Sequence, residues 1–490
     1  MKLNKAIVSS QLLVAVLIFC GVSVGWAQSS LPVSSLVPNQ LGDPETVLTL
    51  PEMANPDAMI AKSIEDATGV EPSPFRFAEG HDVMLDIAAD TGWQSVSLGN
   101  VTMMVWRKRI ATENGVSLNF GFDQYSMPEG GQMFVYSADG TQVFGPYTSE
   151  HNKHHGQLWT PIVDGDEAII EVAVPVSAKS QLSLRLRKAS QGFVDFRNLQ
   201  GQKSGSCNVD VICSQGNQWR DQIRSVARYL IDGSFFCTGA AINTANSNLD
   251  RYFLTADHCG VSVFNAPSLV FYWNFESDVC RTPGSAASGG SAFSSNTVTQ
   301  NGADFLADYS VSDMTLLELE DPFPASANVF LAGWDRRNRA QTMAVAIHHP
   351  QGDEKRISFE NQSTAITNYL SSTNNPNGTH IRVIDWDLGT TEPGSSGSPL
   401  FDENKRIVGQ LEGGFAACSN NSSDWYGRLF RSWTGGGSNS SRLSNWLDPT
   451  NLGVQFINGI NADGSGGTPP PTQQDPLNGL PWIVPLLLDE

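Results

Sequence analysis

The sequence contains little cysteine, and none lies between Gln28 and Lys203. Of the seven cysteines, Cys20 lies in an apolar N-terminal segment and the other six follow Lys203. No C-x-x-C pair occurs, which argues against a metal or redox site of that type. An even set of cysteines in an exported chain is typical of disulfides. The chain therefore divides into a cysteine-free region and a disulfide-bonded region.

Positive charge and long apolar runs are also scarce. The chain has 30 Lys and Arg against 50 Asp and Glu, a formal net charge of −20. Such a charge argues against a nucleic-acid partner, and it would attract cationic substrates. No apolar run reaches the ~18–20 residues that a membrane helix needs. We therefore expect neither a nucleic-acid nor a membrane partner.

The N-terminus has the pattern of an export signal. Lys2 and Lys5 precede an apolar run, Leu12–Val24, and small residues follow it. Cleavage is expected after Ala27, which assigns residues 1–27 to a signal peptide and predicts a secreted protein.

Residues 28–203 are predicted to form a mostly β domain. One short helix is expected around Pro56–Thr68, and strand patterns occupy Phe77–Arg187, which favours a small β-sandwich. The three histidines of H-N-K-H-H are interpreted as a solvated loop rather than a metal site, because no carboxylate or cysteine stands at ligand spacing; they are His151, His154 and His155.

A polar, glycine-bearing link spans residues 198–206 and contains Lys203. Such a link is expected to be exposed and cleavable. A cysteine-free domain, a cleavable link and a disulfide-bonded domain together predict a propeptide, residues 28–203, followed by a mature domain, residues 204–462. Residues 463–490 are a Gly/Pro-rich linker and a short tail.

The mature region is predicted to be all-β, with a C-terminal helix at Ser440–Leu447. Turns separate many short apolar runs, as in a sandwich or barrel. The expected strands are Phe235–Ile242, Tyr252–Ala256, Leu269–Trp273, Met314–Leu319, Ala344–His348, Ile381–Trp386 and Ile407–Leu411.

One turn in this region, T-E-P-G-S-S-G-S-P-L, carries a candidate nucleophile, Ser396. A serine needs a base to remove its proton and N–H groups to hold the oxyanion that forms. Gly394 and Gly397 let the backbone approach a carbonyl closely. The N–H groups of Gly394 and Ser396 are candidates for an oxyanion hole. A plain surface turn is the alternative for this segment alone.

Two other segments supply candidate partners for Ser396. In T-A-D-H-C, His258 precedes Cys259, and a disulfide to Cys237 would hold the histidine in place, as a general base requires. In S-D-M-T-L-L-E-L, Asp313 heads an apolar strand, where a carboxylate can orient an imidazole. Asp308 competes for this role.

At this point the sequence resembles the trypsin-like (chymotrypsin-fold) serine proteases. More narrowly, Ser204–Gly459 resembles the secreted bacterial lysyl endopeptidases through S-G-S-C-N-V-D-V-I-C, Y-W-N, A-G-W-D-R-R, A-I-H-H-P, E-K-R-I-S, T-E-P-G-S-S-G-S-P and G-R-L-F-R-S-W-T-G-G-G. The resemblance implies a chymotrypsin-like double β-barrel, with His258 as base, Asp313 as its orienting carboxylate and Ser396 as nucleophile. It also implies the disulfides Cys207–Cys418, Cys213–Cys280 and Cys237–Cys259.

The same resemblance indicates the substrate. Thr390, six residues before Ser396, carries no charge. In the lysyl endopeptidases the pocket aspartate lies downstream in S-D-x-Y-G-R, and Asp424 in S-D-W-Y-G-R matches it. A buried carboxylate in a narrow pocket favours the ammonium of lysine over guanidinium. A solvated loop residue is the alternative for Asp424.

The chain departs from the family where a histidine stacks with a tryptophan beside the active site. Glu412 and Gly413 stand in the family's His-Gly-Gly segment, and the partner region offers Tyr369, so we expect this stack to be absent. If Glu412 lies near His258, its charge raises the pKa of that imidazole. Ser395, which precedes the nucleophile, cannot pair with a new N-terminus as a carboxylate would.

The sequence therefore predicts a secreted, self-processed, monomeric endopeptidase that cleaves after lysine, with protein and peptide substrates and its own propeptide as partners and without a cofactor or metal. Cleavage after both Lys and Arg is the first alternative. Cleavage after Glu conflicts with the charge of Asp424, and a non-catalytic binding protein conflicts with the intact set of His258, Asp313 and Ser396.

Overall fold

A computed structural model of the chain describes residues 30–42, 44, 47–196, 204–290 and 294–466. Ala27 with the predicted signal peptide, Lys203, and the tail beyond residue 466 lie outside the described residues. The described residues form two β-rich regions, residues 30–196 and 204–466. Among them, no helix is both long and apolar enough to cross a membrane.

The N-terminal region contains two helices and twelve strands. They are α1 (Val33–Leu36), α2 (Pro56–Ala67), β1 (Val47–Thr49), β2 (Phe75–Arg76), β3 (Ala78–Asp86), β4 (Gln94–Leu98), β5 (Val101–Ala111), β6 (Ser117–Ser126), β7 (Gln132–Ser137), β8 (Val143–Tyr147), β9 (Leu158–Trp159), β10 (Val163–Asp164), β11 (Glu167–Pro175) and β12 (Ser183–Gly192).

The predicted helix near Pro56 is confirmed as α2, for local reasons. The side chain of Asn55 accepts a hydrogen bond from Ala58 N at 3.2 Å, and Pro56 occupies the first helical position. An N-cap amide and a proline at this position both favour helix initiation.

Eleven of these twelve strands, all except β2, build a β-sandwich. One sheet has the order β1-β5-β11-β7-β8 with β4 beside β5, and the other has the order β10-β6-β12-β3 with β9 beside β6. Trp106 and Ile170 of the first sheet pack into one core with Phe120 and Leu186 of the second. The predicted sandwich is confirmed.

The C-terminal region has three helices and nineteen strands. They are α3 (Arg220–Ser225), α4 (Leu429–Thr434), α5 (Ser444–Leu447), β13 (Val209–Asp210), β14 (Val226–Ile231), β15 (Phe235–Ala241), β16 (Tyr252–Thr255), β17 (Val270–Trp273), β18 (Val298–Asn301), β19 (Ala303–Tyr309), β20 (Met314–Leu319), β21 (Phe330–Leu331), β22 (Trp334–Asp335), β23 (Ala344–His348), β24 (Arg356–Glu360), β25 (Ala365–Thr367), β26 (His380–Val383), β27 (Pro399–Phe401), β28 (Ile407–Gly414), β29 (Asp424–Arg428), β30 (Phe456–Ile457) and β31 (Ile460–Asn461).

The strands of this region form two large sheets, each with its own core. The first has the order β18-β17-β14-β15-β16-β20-β19, and the second has the order β13-β24-β23-β27-β28-β29-β26-β25. Alternate residues of a strand serve different cores, as strand geometry requires. Tyr229 of β14 lies in the core of the first sheet, whereas Val226 packs with Val345 in a core shared by both sheets. The predicted chymotrypsin-like double-barrel fold is confirmed.

The predicted C-terminal helix is shorter than expected. Residues Asn439–Ser441 form a separate 3₁₀ turn, and only α5 is α-helical. Arg442, which follows that turn, has an extended backbone with φ −154° and ψ 153°, and it separates the turn from α5.

The two regions contact each other extensively. β2 of the N-terminal region pairs antiparallel with β15, so that Phe75 lies opposite Phe236. The prediction of a solvated histidine loop holds for His154, which is exposed, but it is wrong for His155, because His155 Nε2 bonds to Glu320 Oε1 at 2.7 Å. The neighbouring Lys153 forms an ion pair with Asp321. The partners, Glu320 and Asp321, lie far from the histidines in the sequence, so the residues around the histidines could not predict these contacts.

Candidate functional site

His258 and Asp313 come together at the adjoining ends of the paired strands β16 and β20. His258 lies in a 3₁₀ turn, Asp257–Cys259, directly after β16. Asp313 has a left-handed backbone, φ 48°, between a 3₁₀ turn and β20. Its Oδ1 accepts from the backbone N of His258 and its Oδ2 contacts Nδ1, both at 2.8 Å. These two bonds fix both the position of the histidine and the direction of its ring.

Two opposing effects act on the pKa of His258. Burial lowers that pKa. The charge of Asp313 and its hydrogen bond to the imidazole raise the pKa, and Glu412 and Asp257 raise it by smaller amounts. The net result is a raised pKa. Burial also raises the pKa of Asp257 to about 6, with Asp313 and Asp308 adding to the effect. Acidic groups thus surround the imidazole on several sides.

Ser396 lies in a turn between the two sheets. Gly394 and Gly397 have φ values of 90° and 80°, which glycine adopts easily. A Cβ on Gly394 would lie 2.3 Å from Phe236 Cε2, so a side chain cannot fit there. Thr238 N donates to Ser396 O at 2.8 Å and thereby ties the turn to β15. Within the described parts of the chain, neither Gly394 N nor Ser396 N donates a hydrogen bond.

The second nitrogen of His258, Nε2, is buried and has no hydrogen-bond partner within the described residues. Gly397 lies against Ala256 N, at 2.9 Å from the position of an added Cβ, so the Ser396 turn contacts the segment leading into His258. In the described part of the chain, no hydrogen bond joins Ser396 to His258 Nε2. Catalytic hydrogen bonds often shorten only when substrate binds.

Asp424 begins β29 and is 1% exposed. Its Oδ2 accepts from Trp386 Nε1 and Thr391 Oγ1, both at 2.7 Å, and its Oδ1 accepts from Ala416 N at 3.4 Å. Burial raises the pKa of this carboxyl, against the hydrogen bonds that lower it. The interpretation of Asp424 as a solvated loop residue is wrong, because the carboxyl is buried and hydrogen-bonded to Trp386 and Thr391.

Glu412, Gly413 and Tyr369 are also brought together. A Cβ on Gly413 would lie 3.1 Å from Tyr369 Oη. Tyr369 contacts the ring of His380, with centroids 5.3 Å apart, and His380 Nε2 bonds to Glu412 Oε2. Tyr369, His380 and Glu412 thus form one contacting group, in which the ring beside Tyr369 is the histidine of β26. Burial raises the pKa of Glu412, and its bond to His380 opposes that rise.

His380 is a residue that the sequence analysis missed. Strand geometry places it on the opposite face of β26 from Ile381 and Val383, and all three residues are buried, so no local signal marks it as functional. Its contact with Glu412 joins two strands that are separated by β29 in the sheet order. Strand pairing of this kind cannot be derived from the residues around His380 alone.

All three predicted disulfides are present: Cys207–Cys418, Cys213–Cys280 and Cys237–Cys259. The third joins β15 to the turn that carries His258. Within the residues that the structure describes, no group of three or more His, Cys, Asp or Glu is placed to hold a metal ion.

Comparison with known proteins adds an independent observation. Residues 201–427 match the family model of the lysyl endopeptidase C-terminal domain. The lysyl endopeptidase of Pseudomonas aeruginosa is 30% identical over 279 residues, a match that covers 53% of this chain and 57% of the relative. The chain thus matches little more than half the length of that relative.

Solved structures give weaker likenesses. An HtrA-type protease, AlgW, with a tripeptide has a TM-score of 0.29 at 15% identity, covering 44% of this chain and 60% of that chain. An inactive form of Rv3671c from M. tuberculosis has a TM-score of 0.27 at 14% identity, covering 42% and 82%. Likenesses with TM-scores this low add no argument to the one from the strand topology. Residues 201–427 of this chain are thus similar in sequence to the C-terminal domain of the lysyl endopeptidases.

Proposed function

We propose that residues 204–462 form a serine endopeptidase that cleaves on the carboxyl side of lysine. The observation that carries the proposal is the pair of 2.8 Å contacts from Asp313 to His258, beside the turn of Ser396. A carboxylate that binds both the backbone and Nδ1 of a histidine leaves Nε2 as the nitrogen that can take up a proton.

In the proposed reaction, Ser396 Oγ attacks the substrate carbonyl while His258 Nε2 takes its proton. The N–H groups of Gly394 and Ser396 stabilise the oxyanion. The tetrahedral intermediate collapses, His258 gives the proton to the departing amine, and an acyl-enzyme remains. Water then attacks the ester, again with His258 as base, and the acid product leaves with Ser396 reprotonated.

Lysine selectivity is assigned to Asp424. Two donors hold its Oδ2, while Oδ1 has only a long contact with a backbone N–H. A buried carboxylate in this state attracts a compact ammonium. The negative charge would repel a glutamate side chain, and this argues against cleavage after Glu. Cleavage after both Lys and Arg remains the rival specificity.

The N-terminal region is proposed to be a propeptide that covers the cleft. β2 binds along β15, and Phe75 and Phe236 lie 5.0 Å apart between ring centroids. Upstream, Pro72 Cγ would lie 3.6 Å from a Cβ on Gly413. The segment from Pro72 to Phe75 therefore runs from Gly413 to Phe236. Phe236 in turn packs against Gly394. Substrate entry requires displacement of this segment.

Export through the N-terminal signal fits the disulfides, because such bonds persist in oxidising compartments. The first 27 residues would be removed on export, with cleavage after Ala27. The propeptide would then be released by cleavage after Lys203, a residue that suits the Asp424 pocket of the same enzyme.

Replacing Lys203 by alanine should leave a full-length proform, because the expected self-processing needs lysine at that position. The measurement is the intact mass and N-terminal sequence of the secreted protein. Lys203→Arg is the matched variant, and slow processing of it would reflect the preference for lysine. Maturation of Lys203→Ala at the same bond would show that another protease or another specificity acts there.

The acid limb of the pH–rate profile should lie at lower pH in Glu412→Gln than in the wild type. His258 must be neutral to act as base, so activity rises as pH passes its pKa. The negative charge of Glu412 raises that pKa, and its removal lowers it. Kinetics between acid and neutral pH test this, with Glu403→Gln as a distant control. Superimposable profiles would refute the role of Glu412.

The proposed function is tested by incubating the mature protein with a denatured protein of known sequence and mapping the new termini by mass spectrometry. Cuts after lysine are expected, and they should disappear with Ser396→Ala. A non-catalytic binding protein is the other class to separate. Labelling of Ser396 by a phosphonylating reagent is expected for the enzyme, and absence of both label and cuts would favour the binding protein.

A further inference from the structure

The first described residues after the proposed cleavage site contact the turn that carries Ser396. Gly205 N donates to both oxygens of Glu392, at 3.1 and 2.9 Å, and Asn208 Nδ2 donates to Oε2 at 2.8 Å. Ser204 is 1% exposed, and its Oγ donates to Asp353 Oδ2 at 2.6 Å. We call these five residues, Ser204, Gly205, Asn208, Asp353 and Glu392, the Ser204 site.

Glu392 links this site to the nucleophile. Its carbonyl accepts from Ser395 N at 3.0 Å, and its own N–H contacts Ser395 Oγ at 3.3 Å, so it opens the turn that holds Ser396. Asp353 belongs to the loop before β24, in which Gln351 N donates to Pro393 O at 2.5 Å. Both carboxylates are therefore attached to the backbone that presents Gly394 and Ser396.

The electrostatic setting favours a further positive charge. Arg356 contacts Asp353 at 3.0 Å and Asp210 at 2.8 Å, and Arg281 contacts Asp210 at 2.6 Å and Glu354 at 3.1 Å. Arg228 interacts with Asp353 and Glu354 at longer range. Burial raises the pKa of Glu392, and the charge of Asp353 also contributes, so a cation at this point would stabilise the ionised carboxylate. The facing charged groups are the acids Glu392, Asp353, Glu354 and Asp210 and the arginines Arg228, Arg281 and Arg356.

We propose that the α-ammonium of Ser204, formed by cleavage after Lys203, binds between Asp353 and Glu392. Through Glu392, this ammonium positions the turn that presents the N–H groups of Gly394 and Ser396. The inference rests on the proposed function, since it needs processing at that bond. Hydrolysis of the bond turns the amide N–H of Ser204 into an ammonium in place. The side chain of Ser204 already bonds to Asp353, and the backbone N–H of Gly205 already bonds to Glu392. Glu392 and Asp353 are thus positioning residues.

This arrangement differs from pairing with the residue next to the nucleophile. Ser395 carries no charge, and its Oγ contacts His348 Nδ1 at 2.9 Å instead. The carboxylate stands three residues further upstream, at Glu392. The ion pair would hold the start of the turn, while the bond from Thr238 N to Ser396 O holds its centre.

The test compares the mature wild type with Glu392→Gln and with an extended form. The extended form carries Gln200→Lys and Lys203→Ala, so that cleavage after position 200 should leave a chain that begins three residues before Ser204. Intact mass and N-terminal sequence are determined first. Then kcat and KM for a lysyl peptide are measured from neutral to alkaline pH. Glu403→Gln is the control. A second readout is acetylation of the Ser204 α-amine in the folded protein, located by peptide mapping.

In wild type, activity should fall at alkaline pH as the α-ammonium, with an ordinary pKa of about 7.7–8.0 that nearby carboxylates raise, loses its proton. Glu392→Gln and the extended form should lose about tenfold in kcat, the effect of one hydrogen bond to a charged group, with KM nearly unchanged. The extended form should lack the alkaline limb. The Ser204 amine should resist acetylation in wild type and react in Glu392→Gln.

Two results would overturn the proposal, and they differ. A mature chain that begins elsewhere than Ser204 removes both the processing step and this ammonium. A chain that begins at Ser204, but whose amine is freely acetylated and whose extended form has full kcat and an unchanged alkaline limb, overturns the ammonium site alone and leaves the protease intact.

Discussion

Asp424→Asn should lower kcat/KM for lysyl peptides by about 10³-fold, because loss of one member of a buried, hydrogen-bonded charge pair costs about 3–4 kcal/mol. Asparagine retains an oxygen for Trp386 and Thr391, so the pocket keeps its shape. The measurement is steady-state kinetics on peptides that differ only in the residue before the scissile bond. Asp385→Asn, on a half-buried carboxylate near Trp386 in the sequence, is the control.

The same substitution should not lower the melting temperature at neutral pH. The folded-state pKa of Asp424 is raised by burial, so the folded protein holds its proton more tightly than the unfolded chain does. The contribution of this group to stability therefore falls as pH rises above the unfolded value, and asparagine removes that cost. Unchanged lysyl activity would place the specificity elsewhere, and equal loss for every peptide would indicate damage to the active site.

Asp313→Asn should lower kcat by about 10⁴-fold with a small change in KM. The amide can present N–H to Nδ1 of His258, which stabilises the wrong tautomer and leaves Nε2 unable to accept a proton. The bond from His258 N to Oδ1 can persist, so the fold should remain. Single-turnover and steady-state kinetics with a lysyl peptide measure the effect, and circular dichroism checks the fold.

Asp308→Asn is the matched control, because Asp308 is the rival aspartate in the sequence. Asp308 lies exposed on β19, and Asp257 rather than His258 is its neighbour. Its substitution should change kcat by less than about tenfold. A loss as large as that of Asp313→Asn would contradict the assignment of Asp313.

The sequence predicted the architecture well where alternation and turn residues decide the structure. The strand Met314–Leu319 has the predicted bounds, and so does Ala344–His348. Strand ends are less predictable: Ile381–Trp386 was expected, whereas β26 spans His380–Val383. Beyond Val383 the chain turns so that Trp386 can donate to Asp424, which is a tertiary contact.

The candidate site was predictable only where residues stand in recognisable local patterns. Ser396 and His258 lie in such patterns, and Asp424 was indicated by resemblance. His380 has no such pattern, because its meaning depends on Glu412 from another strand. The contact between Gly205 and Glu392 joins residues 187 positions apart, and nothing near either residue predicts it. Long-range polar contacts of this kind come from the fold as a whole.

The most direct test of the central claim is the hydrolysis of three peptides that differ only in having Lys, Arg or Glu before the scissile bond. The mature wild-type enzyme should cleave the lysyl peptide with a kcat/KM roughly 10²-fold above that of the arginyl peptide, a ratio within the reach of pocket shape and charge. The glutamyl peptide should not be cleaved measurably. Equal cleavage after Lys and Arg, or any preference for Glu, would contradict the account.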